Sequence, residues 1–311
     1  MMSAVPALQD RNELAIARTV IYASLFDYPL TLEQLHTSLI SSTLTPRQIQ
    51  AAYDGSRSLQ AMVESRDGFF FPEGHSHLIA ERRRRETRSR AFLDRHARAL
   101  RLICALPFTR MVALSGSVAH LNLEDGGDMD LFIVTRGHRV WTVTVAMILL
   151  TRVLGVRRVM CANFVMSDAH LGIEQQDLFT ANQVLHLKPL IGREVLEGFV
   201  AANPFVRRFY PNRSEQASAD FLLPPASTFR RAKAFAEAVL APVAPLVEAF
   251  CRRAYGWHLR RKSTSWQSPE QVRMQADYLK LHTRSHRHTV LERFDERMND
   301  AANRRRHAAI A

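Results

Sequence analysis

The stretch that most constrains the fold of this chain runs from Met111 to Thr135, MVALSGSVAHLNLEDGGDMDLFIVT. It opens with a short apolar run, residues 111–114, that leads into the small-residue turn Ser115-Gly116-Ser117, which is typical of a buried strand entering a bend. A second run, residues 128–134, carries two aspartates at alternate positions and then becomes wholly apolar. The pattern predicts two strands, with a glycine turn next to a pair of acids.

The two acids, Asp128 and Asp130, lie on one face of the predicted strand, about 6.6 Å apart along it. Two carboxylates at this spacing cannot both be buried without a cation. A glycine turn lets the backbone approach a phosphate closely, and Mg²⁺ is commonly bound by one or two carboxylates together with phosphate oxygens. The stretch therefore predicts a site for a magnesium-bound nucleotide.

These residues resemble the signature of the nucleotidyltransferase superfamily, the polymerase-beta-like fold. That signature is a hydrophobic residue followed by Gly-Ser, then a spacer of about ten residues and an alternating acidic and hydrophobic run; here it reads Leu114 to Ser117, residues 118–127, and Asp128 to Leu131. The alternative interpretation is an ordinary hairpin whose acids face solvent.

The resemblance implies an α/β (α+β) core of the polymerase-beta-like class. By the same resemblance Gly116 and Ser117 bind the nucleotide phosphates, and Asp128 and Asp130 hold a divalent metal, Mg²⁺ or Mn²⁺. It implies an enzyme that moves a nucleoside monophosphate from a nucleoside triphosphate to an acceptor hydroxyl and releases pyrophosphate. The acceptor stays open between a small molecule, a protein side chain and a nucleic-acid end.

A third carboxylate is often supplied in this superfamily by the neighbouring strand, predicted here over residues 157–166. That strand offers only Asn163, on the same predicted face as Cys161 and Val165, so Asn163 is either a site residue or a hydrogen-bonded core residue. The proton of the acceptor would then pass to Asp168, Glu174, a substrate group or water. The Cys-x-Asn strand, with residues 177–181 and 189–190, is similar to uncharacterised bacterial proteins that carry a nucleotidyltransferase domain, which implies that the group lacks this acid.

The chain of 311 residues is long enough for two or three domains. We predict a winged-helix-like domain over 1–80, a basic connector helix over 81–105, the nucleotidyltransferase core over 106–202, and a linker with a helical C-terminal domain over 203–311.

In the first domain, periodic apolar residues predict a helix that ends near Asp27. Thr31 with Gln34 forms a capping box for a helix to Ile40, and Thr45 before a proline begins a third helix that reaches Leu59 or Met62. A hairpin is predicted around Asp67-Gly68. The third helix is typical of DNA recognition, but a role in protein contacts or in bracing the core fits equally.

Lysine and arginine exceed aspartate and glutamate by 42 to 30, which gives a net charge of +12. This excess favours polyanionic partners such as nucleic acid, nucleoside triphosphates or an acidic protein surface. Arginines are dense along a predicted helix over residues 81–110, which is either a solvated connector or a phosphate-binding stripe.

Past a loop predicted over 203–225, the chain is expected to be helical to its end, with helices over 232–256, broken near Pro242 and Pro245, and over 269–302. His282 and His286 lie one helical turn apart, but without the glutamate of a zinc motif they are expected to be surface histidines.

Three cysteines lie far apart, and the N-terminus lacks the features of a secretory signal. The apolar segments over 141–150 and 232–250 are too short or too interrupted to span a bilayer. We therefore expect a cytoplasmic protein without a membrane partner. The rival to the enzyme hypothesis is a catalytically degenerate nucleotidyltransferase fold that acts as a nucleotide- or DNA-binding regulatory module.

Overall fold

The N-terminal part of the chain folds as a small helical unit with its own antiparallel sheet. The computed structural model of the protein describes residues 11–213, 227–281 and 286–310. The unit contains α1 (Arg11–Ser24), β1 (Leu30–Thr31), α2 (Leu32–Thr37), α3 (Pro46–Gly55), α4 (Arg57–Gln60), β2 (Val63–Arg66) and β3 (Phe69–Pro72). The three strands pair in the order β1-β3-β2.

Most of the helix caps and turns predicted from the sequence of this unit are present in the structure. Thr31 and Thr45 both form complete capping boxes at the starts of α2 and α3. Asp67 and Gly68 adopt left-handed backbone angles, with φ of 52° and 77°, and close the β2–β3 hairpin. The predicted third helix is too long, because Ser56 ends it and accepts a hydrogen bond from Leu59 N to begin α4. The helix predicted to reach Ile40 ends at Thr37.

Helix α5 (His77–Cys104) connects this unit to the rest of the protein. It ends before the predicted limit at residue 110, because Pro107 and the left-handed Phe108 (φ 64°) turn the chain into the next strand. Some of its arginines contact other parts of the protein: Arg82 donates to Pro29 O and lies 4.0 Å from the centre of the Tyr28 ring. These contacts favour the connector interpretation of the basic helix.

A mixed sheet forms the centre of the protein. The elements of this part are β4 (Thr109–Ser115), α6 (Gly116–Ala119), β5 (Met129–Thr135), α7 (Val140–Val153), β6 (Met160–Ser167), α8 (Leu178–Leu185), β7 (Lys188–Ile191), α9 (Arg193–Ala201) and α10 (Phe205–Phe209). The C-terminal part adds α11 (Ser227–Leu240), α12 (Ala244–Arg261), β8 (Val272–Met274), β9 (Tyr278–Leu281) and α13 (Arg287–Ile310). The six strands pair in the order β7-β4-β5-β6-β9-β8, and only β5 and β6 are parallel.

Each face of this sheet has its own hydrophobic core. Leu114 and Leu131 pack on one face beneath α5, α7 and α12. Met111 and Phe132 pack on the other face, against α8, α9 and α10, and this core also takes in side chains of α1 and α13. The fold class is therefore mixed α/β, with helices on both faces of the sheet.

The single helix predicted over residues 269–302 is wrong. Residues 272–281 form the hairpin of β8 and β9, and β9 pairs with β6 through Phe164 opposite Lys280 and Met166 opposite Tyr278. The sequence gives no local sign of this, because the hairpin is stabilised by the free edge of β6 and by full burial of Leu279. Helix α13 begins only at Arg287.

Two other C-terminal expectations have mixed outcomes. The break near Pro242 and Pro245 is confirmed, and α11 and α12 meet there at 89°. The predicted loop over 203–225 is wrong in its first part, where α10 forms and buries Phe205; residues 214–226 lie outside the described residues. His282 also lies outside them, so the predicted His282–His286 pair is not described.

Among the described residues, no single helix has the length and apolar character needed to cross a membrane, and the bent pair α11–α12 meets that test only when its two helices are taken together.

Replacement of Gly192 by alanine is expected to destabilise the protein by about 2–4 kcal/mol. Gly192 has φ +78°, and a Cβ there would lie 2.8 Å from Met111 Cα, at the pairing of β4 with β7. Urea unfolding should show this loss, whereas Gly172→Ala, at an exposed glycine whose Cβ would meet no atom within 4 Å, should not. Equal stability of the two variants would contradict the close approach.

Candidate functional site

The predicted turn and the second aspartate meet in the structure. Ser115, the last residue of β4, pairs with Asp130 in β5, and Gly116 follows it with φ +63°. A Cβ on Gly116 would lie 2.5 Å from Asp130 Oδ2. The absence of a side chain at Gly116 therefore makes room for the Asp130 carboxylate, and both residues line one cavity together with Ser117.

The two carboxylates differ in their surroundings. Asp128 is exposed just before β5, while Asp130 is half-buried at its second position, and both line the cavity. Burial, followed by the negative charge of Asp128, raises the pKa of Asp130 to about 7. A bound cation would favour the ionised form of Asp130 and so lower this pKa.

Asn163 takes part in this arrangement. Its Nδ2 donates a hydrogen bond to Asp130 Oδ1, and its side chain lines the cavity. The pairing of β5 with β6 shifts by one residue at this point, because Leu131 pairs with Ala162 and Phe132 with Phe164. Asn163 is the extra residue of this β-bulge, which turns its amide towards Asp130.

The bulge also corrects the predicted face of β6. Cys161 and Asn163 line the cavity as expected, but Val165 packs in the opposite core, beneath α5 and α7. One extra residue reverses the alternation of side chains beyond it. Burial, followed by Asp128, raises the pKa of Cys161 to about 11, so this thiol is protonated at neutral pH.

The donors that could hold a metal are the two aspartates. No group of three or more His, Cys, Asp or Glu side chains in the described part of the chain is arranged to bind a metal ion. Two carboxylates fit Mg²⁺ that also takes oxygens from a nucleotide and water. They do not fit a metal site formed by protein side chains alone.

The cavity has a volume of about 850 Å³, and its walls come from three parts of the chain. The core sheet and its loops supply the residues described above, α1 and the loop after it supply Tyr22 and Tyr28, and α13 supplies Thr289 and Arg293. Sequence patterns predicted only the wall formed by the glycine turn, the two aspartates and the strand that carries Asn163.

Two histidines that the sequence analysis missed form part of the wall. The rings of His120 and His186 lie 4.1 Å apart, and the Tyr28 ring packs edge-on against His120. Burial lowers the pKa of both, and that of His186 falls to about 4. Both imidazoles are therefore neutral at pH 7. Their positions in the sequence, after α6 and after α8, carry no local pattern that joins them.

The two acids suggested as proton acceptors lie elsewhere. Asp168 follows the carboxyl end of β6, where its Oδ1 accepts from Gly137 N at 2.7 Å, whereas the cavity lies at the amino ends of β5 and β6. Glu174 faces Arg273 at 3.8 Å. Neither acid is among the residues that line the cavity, so the structure does not bring either one to the candidate site.

The stability of the protein without metal should depend on the protonation of Asp130. Its pKa is raised from 3.8 to about 7, so the folded state binds this proton more tightly than the unfolded chain, and the contribution of Asp130 to stability falls as pH rises from about 4 to about 7. Asp130→Asn should therefore raise the free energy of unfolding at pH 8, by about 1 kcal/mol or more, and the gain should shrink at pH 5. Urea unfolding at both pH values measures it, with the exposed Asp94→Asn as control. A loss of stability at pH 8 would contradict the environment described for Asp130.

Comparison of the chain with protein-family models, with curated proteins and with solved structures gives no match.

Proposed function

We propose that the protein is a metal-dependent nucleotidyltransferase. A nucleoside triphosphate binds with its phosphates at Gly116 and Ser117, with Mg²⁺ or Mn²⁺ held by Asp128 and Asp130. The reaction moves the nucleoside monophosphate to an acceptor hydroxyl and releases pyrophosphate. The observation that carries the proposal is the direct packing of Gly116 against the Asp130 carboxylate at the wall of a large cavity. The polymerase-beta-like core implied by the sequence belongs to the same proposal.

Each site residue has a distinct role in the proposed reaction. Gly116 gives a phosphate close access to the backbone, because no side chain covers the turn. Asp130 is fixed by Asn163, whose amide orients Oδ1, and Asp128 supplies the second carboxylate. When bound, the metal neutralises charge on the phosphates during transfer. The pKa of Asp130 near 7 means that metal and triphosphate bind best above neutral pH.

Few protein groups in the cavity are placed to take up the proton that the acceptor hydroxyl loses. Two further carboxylates line the cavity, Asp27 and Glu124, and both face Arg85, at 3.2 and 3.5 Å. Each ion pair already engages one oxygen of the carboxylate. We therefore assign the proton to a phosphate oxygen of the substrate or to water.

The acceptor that fits the cavity best is a small molecule. A volume of about 850 Å³ is within the range of small-molecule sites. Two buried polar atoms of wall residues, Tyr22 Oη and Asn122 Oδ1, have no hydrogen-bond partner in the described part of the chain. Buried polar atoms of this kind usually have a partner, which favours a polar ligand or an ordered water.

The rival proposal is a degenerate fold that binds nucleotide or DNA as a regulatory module. The observation that favours it is Asn163, which holds the position of a possible third carboxylate beside Asp130. Arg47 and Arg57, exposed on α3 and α4, are the charged groups that such a module would offer to DNA.

Metal-dependent binding of a nucleoside triphosphate separates the two proposals. Isothermal titration with each of the common triphosphates, with and without Mg²⁺, should show binding that needs the metal. The double variant Asp128→Asn/Asp130→Asn should weaken it at least about tenfold. Asp125→Asn is the matched control, because Asp125 lies in the same loop but faces Arg88 at 2.7 Å and does not line the cavity.

Triphosphate binding that is absent, or that is equal in the double variant and the control, would contradict the enzyme. DNA binding that is unchanged in the double variant would then support the regulatory module. Incubation with labelled triphosphate and cell extract identifies the acceptor, and a labelled small molecule is the expected product.

A third carboxylate should strengthen metal binding. Asn163→Asp places it against Asp130, so we expect the affinity for Mn²⁺ to rise about tenfold, and the stability of the metal-free protein to fall through repulsion. Mn²⁺ titration followed by electron paramagnetic resonance measures the first effect, and thermal unfolding the second. Asn163→Ala, which adds no charge, should not raise the affinity; equal affinities of the two variants would show that Asn163 does not adjoin the metal.

A further inference from the structure

Helices α11 and α12 expose large apolar side chains. The exposed fractions are 72% for Phe235, 73% for Leu246, 71% for Phe250 and 56% for Trp257. Val239 and Val243, which lie between Phe235 and Leu246 in the sequence, are also exposed. We call these six side chains the outer apolar face. Phe235 and Val239 lie one helical turn apart on α11, and Leu246, Phe250 and Trp257 recur at helical spacing on α12. Exposed apolar side chains arranged in this way mark interaction sites more often than scattered ones do.

Helix α11 has the reverse of the usual amphipathic arrangement. Its inward side is polar: Lys233 Nζ donates to Thr109 O at 2.5 Å, and Glu237 Oε1 accepts from Phe108 N at 2.7 Å. Its outward side carries Phe235 and Val239. A helix that only has to cover a core turns its apolar side inward, so the outward side of α11 is suited to an apolar environment.

Helix α12 is held in one rotational setting by a buried glutamate. Glu248 accepts hydrogen bonds from the backbone of Trp141 at 2.9 Å and of Thr142 at 2.8 Å, in the first turn of α7. These contacts satisfy N–H groups that the helix itself leaves free. The side of α12 that carries Leu246, Phe250 and Trp257 cannot turn inward without breaking them.

The exposed charged side chains of α11 and α12 have one sign. Helices α11 and α12 contain two acidic residues, Glu237 and Glu248, and both are engaged with the core. Their exposed arginines are Arg230, Arg231, Arg252, Arg253, Arg260 and Arg261. The guanidinium of Arg261 lies 4.6 Å from the centre of the Trp257 ring. The face is therefore apolar and cationic together.

We propose that α11 and α12 dock the protein on the surface of an anionic lipid membrane. Exposed Phe, Leu and Trp suit the boundary between headgroups and acyl chains, and long arginine side chains reach lipid phosphates beside them. Anionic lipids attract such basic segments. A second copy of the chain fits this face poorly, because docking would bring its arginines against the same arginines. This inference is independent of the proposed reaction, and it departs from the sequence-based expectation of no membrane partner.

The test is flotation of the full chain with lipid vesicles. We expect binding to vesicles of equal parts phosphatidylcholine and phosphatidylglycerol, little binding to phosphatidylcholine alone, and weakening by added salt. Phe235→Ser/Phe250→Ser and Arg252→Glu/Arg253→Glu should each reduce binding at least about tenfold. Arg95→Glu/Arg98→Glu, which makes the same charge change at exposed positions of α5, should reduce it much less.

Trp257 reports insertion directly, because it is exposed, whereas Trp141 is only 2% exposed and Trp266 is half-buried. Tryptophan emission should move to shorter wavelength on anionic vesicles, and Trp257→Phe should abolish the shift.

Absence of binding to anionic vesicles, or an equal loss in the α5 control, would overturn the proposal. It would also be overturned by self-association in sedimentation that the Phe235→Ser/Phe250→Ser variant abolishes, since the face would then belong to a second copy. Circular dichroism of each variant confirms that the fold is intact.

Discussion

The carboxylate of Asp130 is the group on which the candidate site depends. It lies between a glycine that has no side chain to displace it and an asparagine amide that donates to it, and it shares the cavity with a second carboxylate. A charged group placed in this way is costly when no cation is present, which is why its pKa lies far above that of an ordinary aspartate. Such a cost is typical of functional sites, where groups are arranged for a ligand instead of for stability.

The two faces of the central sheet differ in whether the elements packed on them also line the cavity. One face is covered by α5, α7 and α12, and its core is continuous. On the other face, side chains of α1 and α13 join the core beside α8, α9 and α10, and residues of α1 and α13 also line the cavity. The N-terminal unit and the last helix therefore belong to the candidate site, and a fragment limited to residues 106–202 would lack two of its walls.

The glycine turn, the alternate aspartates and the helix caps were predictable from the sequence, because each acts over a few residues. Thr31, Thr45 and Asp67-Gly68 are examples in the N-terminal unit, and Gly116 with Asp130 is the example in the site. What could not be predicted depends on distant partners. The β8–β9 hairpin needs the edge of β6, and the bulge at Asn163 needs the register of β5. The neighbouring imidazoles of His120 and His186 meet only through the folded chain.

The contact of Lys233 with the turn after α5 has a consequence for synthesis of the chain. Lys233 Nζ donates to the carbonyl of Thr109 and, at 3.5 Å, to that of Cys104 at the end of α5. These two carbonyls precede Lys233 by more than a hundred positions. While the ribosome is still translating the first two-thirds of the protein, the junction between α5 and β4 lacks the Lys233 ammonium group that donates to these two carbonyls. The nascent chain therefore completes the junction between α5 and β4 only after α11 has emerged from the exit tunnel.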